Sequence, residues 1–132
     1  MRSKINRVNL GEPDFPVLLK EVGQPPKVLF YMGSLIKDEL AVSIVGTRKA
    51  SVEGLIMARA ISEGLATHGL AIISGLALGI DAEAHEGALR AGGRTYAVLA
   101  NGLDDIYPRQ HENLGFKVLE SGGGIFSEYP EG

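Results

Sequence analysis

The chain has 132 residues, 45 % of them apolar and 22 % charged, which fits a single globular domain able to bury a core and excludes disordered and collagenous classes. Lys and Arg number 13 against 16 Asp and Glu, a net charge of -3, so any nucleic-acid contact has to come from locally focused cations. The absence of cysteine rules out disulfides, thiolate metal sites and a Cys nucleophile, and fits a reducing cytoplasm.

No stretch approaches the roughly 20 consecutive apolar residues of a membrane span, and "MRSKINRVNL" lacks the apolar centre of a secretory signal, so the expected setting is cytoplasmic and away from membranes. Glycine stands out at 18 of 132 residues, roughly twice the ordinary usage of about 7 %. That excess points to tight backbone turns.

Residues 1–40 read as a lead-in arm in which Pro13, Pro16, Pro25 and Pro26 punctuate the apolar pieces "VLLKEV" and "VLFYMG", giving an irregular arm plus one strand packed on the core. From Ala41 to the end, residues 41–132, short apolar runs alternate with helical stretches. The first run, "AVSIVG" (residues 41–46), leads through "TRKA" into a helix from about Ser51 to His68. Ser51 is the expected N-cap, with Glu53 facing the positive end of the dipole. Leu55, Ala58, Ile61 and Leu65 form a stripe expected to pack on the sheet.

Gly69 closes that helix, and "LAIIS" (residues 70–74) reads as a strand buried on both faces. The turn "GLALGID" opens a helix from Ala82 to Ala91, with Asp81 as its expected N-cap and Gly92-Gly93 as its stop. "TYAVLA" (residues 95–100) is a third strand, followed by the breaker-rich "NGLDDIYP", a helix from about Gln110 to Glu120 and a fourth core strand in "GIFSEY". Helical connections between short apolar strands require parallel, right-handed crossovers. The expected fold is therefore α/β: a doubly wound, mostly parallel, extended Rossmann-like sheet with helices on both faces.

In such a sheet ligands bind beyond the carboxyl ends of the strands. Those ends carry Gly46-Thr47-Arg48, Ser74-Gly75, Asn101-Gly102 and Ser127-Glu128. The first, continued by Lys49 and Ser51, joins a strand to a helix N-terminus, where free amides and the dipole favour an anion and a guanidinium can grip phosphate with two hydrogen bonds. The bland alternative is a turn glycine beside a solvated arginine. Neither G-x-G-x-x-G nor a Walker lysine is present, so an ordinary dinucleotide or ATP site is weakly supported.

"SGLALGID" sets Gly75 and Gly79 around a second strand-to-helix turn, with Asp81 and His85 one helical turn apart. Ser74, Asp81 and His85 match no nucleophile elbow, and a pair in which His85 bonds Asp81 and organises the loop is the stronger reading. His68 falls at a helix end near solvent, and three scattered histidines make no metal site. The third strand end offers Asn101 as a polar group, Tyr107 as a stacking surface and Arg109 as a second cation, against an equally good reading of turn, packing and surface residues. Glu128 is a candidate acid or base at the fourth.

The segments "IVGTRKAS", "ISGLALGIDAEAH", "GALRAGGRTYAVLANGLDDIYP" and "FSEYPEG", in that order, together with the lead-in "FPVLLKEVGQPPKVLFYMGSL", resemble the DNA-processing protein A (DprA, also called Smf) family over nearly the whole chain from Phe15. The resemblance implies an extended Rossmann-like domain without a cofactor. It would bind single-stranded DNA and, as a homodimer, help load a RecA-type recombinase during uptake of transforming DNA. It implies a binding protein rather than an enzyme. Gly46, Thr47, Arg48 and Ser51 would hold backbone phosphate, and the cleft would continue through Gly75, Gly79, Asp81, Asn101, Gly102 and Arg109.

The chain departs from that pattern at three points. It stops at Gly132, where family members commonly continue into an Arg-Asn-Arg run and often a winged-helix domain. His111 replaces the usual Asn after Tyr-Pro, and Asn101 replaces a small residue or cysteine. The alternative from the enzyme class is a phosphoribohydrolase of the LOG type, whose "PGGxGTxxE" signature would face "SGGGIFSE" here, which lacks the Pro and the Thr. A nucleotide-sensing module with no DNA role is a third reading.

Overall fold

Side-chain alternation along the short apolar runs decides how the layers stack. In the computed structural model, which describes residues 4–36, 39–106 and 108–131, these runs become strands β1 (Asn6–Asn9), β2 (Val28–Gly33), β3 (Ala41–Ser43), β4 (Ala71–Ser74), β5 (Thr95–Leu99) and β6 (Gly124–Ser127). Helices α1 (Val52–Thr67), α2 (Ile80–Arg90) and α3 (Glu112–Glu120) connect the last four. Two 3₁₀ turns, Leu19–Glu21 and Arg109–His111, complete the order. The strands form one six-stranded sheet, β1-β2-β6-β5-β4-β3, parallel from β3 to β6 and antiparallel where β2 joins β6 and β1 joins β2.

The lead-in thus supplies two strands to the sheet. β1 escapes the hydrophobic pattern because "NRVN" buries a single residue, Val8.

In a doubly wound sheet the strand order reverses and helices cover both faces. Here the parallel strands add in one direction, so successive right-handed crossovers deposit every helix on the same side. Met32, Ile72, Ala97 and Ile125 point to that side, against Ala84, Ala88, Leu114 and Val118 of α2 and α3. The alternate residues, Leu29, Ala71, Tyr96 and Phe126, point to the other. There the cover is the lead-in, through Phe15, Leu19, Leu35 and Ile36. Beside that cover an apolar cavity of about 720 Å³ is lined by residues including Leu18, Leu40, Ile73 and Val98.

α1 begins as its sequence indicates. Ser51 has an extended backbone and its Oγ accepts from the Gly54 amide at 3.1 Å. Its buried stripe differs from the expected one: Ala58, Ser62 and Ala66 are buried, Leu65 is half-buried, and Ile61 is 48 % exposed. The reason is that α1 packs chiefly on α2 rather than flat on the sheet. Ser62 Oγ donates to the Ala84 carbonyl at 2.5 Å, and a Cβ at Gly87 would lie 2.5 Å from the Arg59 carbonyl, so only small residues fit the crossing. Two ion pairs, Arg59 with Glu83 and Arg90 with Glu63, flank it.

α2 starts two residues earlier than the pattern suggests, at Ile80, and its N-cap is Gly79, without a side-chain cap. Asp81 lies inside the first turn. Its carboxylate is drawn away from capping by two amides from other parts of the chain.

Candidate nucleic-acid interface

The turn between β3 and α1 is exposed from Val45 to Lys49. It owes its shape to the neighbouring turn between β4 and α2. The Asp81 carboxylate, 6 % exposed, accepts from the Gly46 amide through Oδ1 at 3.3 Å and from the Gly75 amide through Oδ2 at 3.0 Å, lashing the two turns together. The Ile80 amide donates to the Thr47 carbonyl at 3.3 Å, and the Lys49 amide to Thr47 Oγ1 at 3.1 Å. Gly79 completes the seam: its φ is +79°, and a Cβ there would stand 2.5 Å from the Thr47 carbonyl oxygen and 2.8 Å from that of Arg48.

Asp81 also occupies the start of its own helix. Its own carboxylate lies in the first turn of α2, where the dipole favours a negative group. The start of α1 brings the positive end of its dipole beside Thr47, Arg48 and Lys49. Among the described residues no hydrogen bond or ion pair engages the Arg48 guanidinium or the Lys49 ammonium.

The Ser74, Asp81 and His85 side chains do not act on one another. Ser74 Oγ donates to the Ile44 carbonyl at 2.6 Å, and Asp81 serves the two amides. His85, fully buried, accepts from the Leu76 amide at Nε2 (3.2 Å), so it organises the loop as expected but does not bond Asp81. Its Nδ1–H donates to Thr95 Oγ1 at 2.8 Å, and that hydroxyl donates to the Ile72 carbonyl at 2.8 Å. Burial, and then the positive field of nearby His111, push the His85 ring down to about 3. His68 is exposed at the end of α1, with Nδ1 2.8 Å from the Gly64 carbonyl.

The ends of β5 and β6 form the adjoining stretch of the rim. Asn101 Nδ2 donates to the carbonyls of Gly102 (2.9 Å) and Asp105, closing its own turn, while its carbonyl accepts from Ser127 Oγ at 2.7 Å. The Tyr129 amide donates back to Ser127 Oγ at 3.0 Å. Gly102 faces the Pro130 carbonyl so closely that a Cβ would collide with it. Arg109 is exposed in the second 3₁₀ turn, and Tyr107 lies outside the described residues.

That 3₁₀ turn is fastened to the β4–α2 turn by His111, whose Nδ1 lies 2.6 Å from the Leu76 carbonyl oxygen. The structure therefore gathers Gly46, Thr47, Arg48, Ser51, Gly75, Gly79 and Asp81 into two interlocked turns, sets Asn101 and Gly102 beside Ser127, and connects the Arg109 turn through His111. Leu76 was hidden in the sequence: it has a φ of +63° and is 0 % exposed, and a leucine in that backbone has no local signature.

The sequence profile of the DNA recombination-mediator protein A family matches residues 6–132. Protein Smf of Synechocystis sp. is 48 % identical over 126 residues, 92 % of this chain and 31 % of that protein. Protein Smf of Borreliella burgdorferi is 41 % identical over 128 residues, 96 % of this chain and 41 % of that protein. The chain thus spans well under half the length of these relatives. Among solved structures, DNA processing protein A of Streptococcus pneumoniae superposes with a TM-score of 0.83 at 36 % identity, covering 96 % of this chain and 44 % of that one.

DNA processing protein A of Helicobacter pylori, described as having a unique single-stranded DNA binding mode, superposes at 0.80 and 28 % identity, covering 98 % of this chain and 57 % of that one. With the profile spanning the sheet from β1 to the last strand and the fold shared with two solved relatives, this chain belongs to the DNA recombination-mediator protein A family.

Proposed function

We propose that the chain binds single-stranded DNA along the strand-end rim, with backbone phosphate seated on the Gly46-Thr47-Arg48 turn and the N-terminus of α1. The observation that carries this reading is the exposed turn at the start of α1, held from behind by Asp81, on which Arg48 and Lys49 have no hydrogen-bond or ion-pair partner among the described residues. Arg109 is the second cation of the groove, and Ser51, Asn101 and Gly102 shape its floor. Asp81, Gly75 and Gly79 act from beneath it. The single-stranded DNA binding described for the Helicobacter pylori relative supports the assignment.

The role is binding rather than catalysis. Ser74, Asp81 and His85 are each engaged with backbone or Thr95, so these three do not combine as nucleophile and base. In the wider family role the domain acts as a homodimer alongside a RecA-type recombinase, in the cytoplasm. Among the described residues no helix is long and apolar enough to cross a membrane.

The test is a fluorescence-anisotropy titration with single-stranded DNA, duplex DNA and mononucleotides. Single strands bind best, with an affinity that falls as salt rises. Arg48→Ala weakens binding about tenfold irrespective of sequence and flattens the salt dependence. Equal affinity of the variant and the parent at low salt overturns the assignment. Preferential binding of a mononucleotide, with slow release of its base, would favour the LOG-type hydrolase.

A further inference from the structure

Leu76 meets two demands that no single residue type meets comfortably. Its side chain fills the core among Ala97, Leu99 and Leu103, which glycine would leave empty, while its backbone sits at φ +63°, which glycine adopts freely and leucine resists. Such a conformation persists when the surroundings over-determine it. Both polar groups of this residue are held by histidine rings from separate elements: its amide donates to His85 Nε2 at 3.2 Å, and its carbonyl accepts from His111 at 2.6 Å.

The proton positions follow from the partners. The Thr95 hydroxyl donates to the Ile72 carbonyl, so the ring nitrogen facing Thr95 is the donor and Nε2 is left to accept from Leu76. A carbonyl oxygen only accepts, so Nδ1 of His111 carries its proton. The two rings thus hold the amide and the carbonyl of Leu76, one each.

We propose that His111 is a positioning residue for the DNA-binding rim, acting through the Leu76 backbone and touching no ligand; the proposal rests on the single-stranded DNA reading above. The relay is short. The carbonyl fixed by His111 belongs to the residue after Gly75, whose amide is one of the two that orient Asp81, and Asp81 in turn holds the Gly46 amide at the foot of the Arg48 turn. Without the His111 donor, the Leu76 peptide relaxes toward an ordinary backbone, Asp81 loses its Gly75 partner, and the Arg48 turn is no longer held in register with the start of α1.

The experiment compares His111→Leu, His111→Asn and His111→Asp with Arg48→Ala and Val8→Ala, using a fluorescent oligothymidylate titrated at several salt concentrations. Val8 lies at the far edge of the sheet and serves as the control for a general loss of stability. His111→Leu and His111→Asp weaken binding about five- to tenfold, the worth of one lost hydrogen bond, and reduce the salt slope. His111→Asn, whose amide can donate where Nδ1–H did, binds within about twofold of the parent. The His111→Leu, Arg48→Ala double variant is scarcely weaker than Arg48→Ala alone, because both act on one contact.

Unchanged binding in His111→Leu alongside weakened Arg48→Ala sinks the positioning role and leaves the DNA reading intact. Unchanged binding in both variants removes the DNA reading itself. Equal weakening by Val8→Ala and His111→Leu, or no rescue by His111→Asn, reduces His111 to a stability effect. In the parent protein, long-range proton–nitrogen spectra show both rings protonated at Nδ1, and a proton at Nε2 of His85 or a bare Nδ1 in His111 would overturn the clasp without any variant.

Discussion

Asp81 shows how a residue chosen by local pattern can be captured by distant partners. An aspartate at a helix start is an expected cap, yet here its two oxygens serve Gly46 and Gly75, from two different turns. Asp81→Ala leaves both amides without an acceptor in a half-buried seam, so it lowers stability by about 2–4 kcal/mol, measured by urea unfolding, and loosens single-strand binding as well. Gly79→Ala is as severe for another reason: its Cβ would press on the Thr47 and Arg48 carbonyls, and its φ of +79° strains any larger residue. A cost of about 2 kcal/mol or more is expected, and a melting temperature equal to the parent's would refute the close approach.

At the scale of elements, the helix α1 separates what a sequence reveals from what it withholds. Ser51 capping Gly54 is a contact between near neighbours, and its signature was legible. The buried stripe was not: Ile61 is more apolar than Ser62, but Ser62 faces α2 and donates to Ala84, because the crossing admits only small side chains. Ile61→Ser should therefore change stability by no more than about 0.5 kcal/mol, whereas Ala66→Leu, forced against Ile72 and Ala88, should cost about 1–3 kcal/mol in the same denaturation assay. The reverse order would mean that α1 lies on the sheet by its Ile61 face.

The parallel strands and the rim they create were likewise readable, because apolar runs ending in Gly46, Gly75 and Gly102 repeat the same local grammar. β1 and the Leu76 backbone were not, since one rests on pairing with β2 and the other on two rings from elsewhere.

For the molecule as a whole, His85 ties stability to acidity. Its ring is neutral in the fold, with a pKa pulled from 6.5 down to about 3 by burial and by His111. The unfolded chain takes up a proton as pH falls below about 6.5 and the folded one does not, so stability is complete above that value and declines toward pH 3, by roughly 1 kcal/mol per pH unit from this group. Urea midpoints between pH 8 and 4 measure the decline. His85→Asn should lower the plateau and flatten the slope relative to the parent; parallel curves would place the acid sensitivity in the carboxylates instead.

The stitching of the rim has a mechanical corollary. Asp81, His111 and Ser127 each rivet one strand terminus to the next, so that edge behaves as a plate with little give. Whatever lies on such a plate must do the bending itself. An unpaired polynucleotide, limp over a few nucleotides, can drape across it, whereas a stiff double helix would touch it only along a tangent.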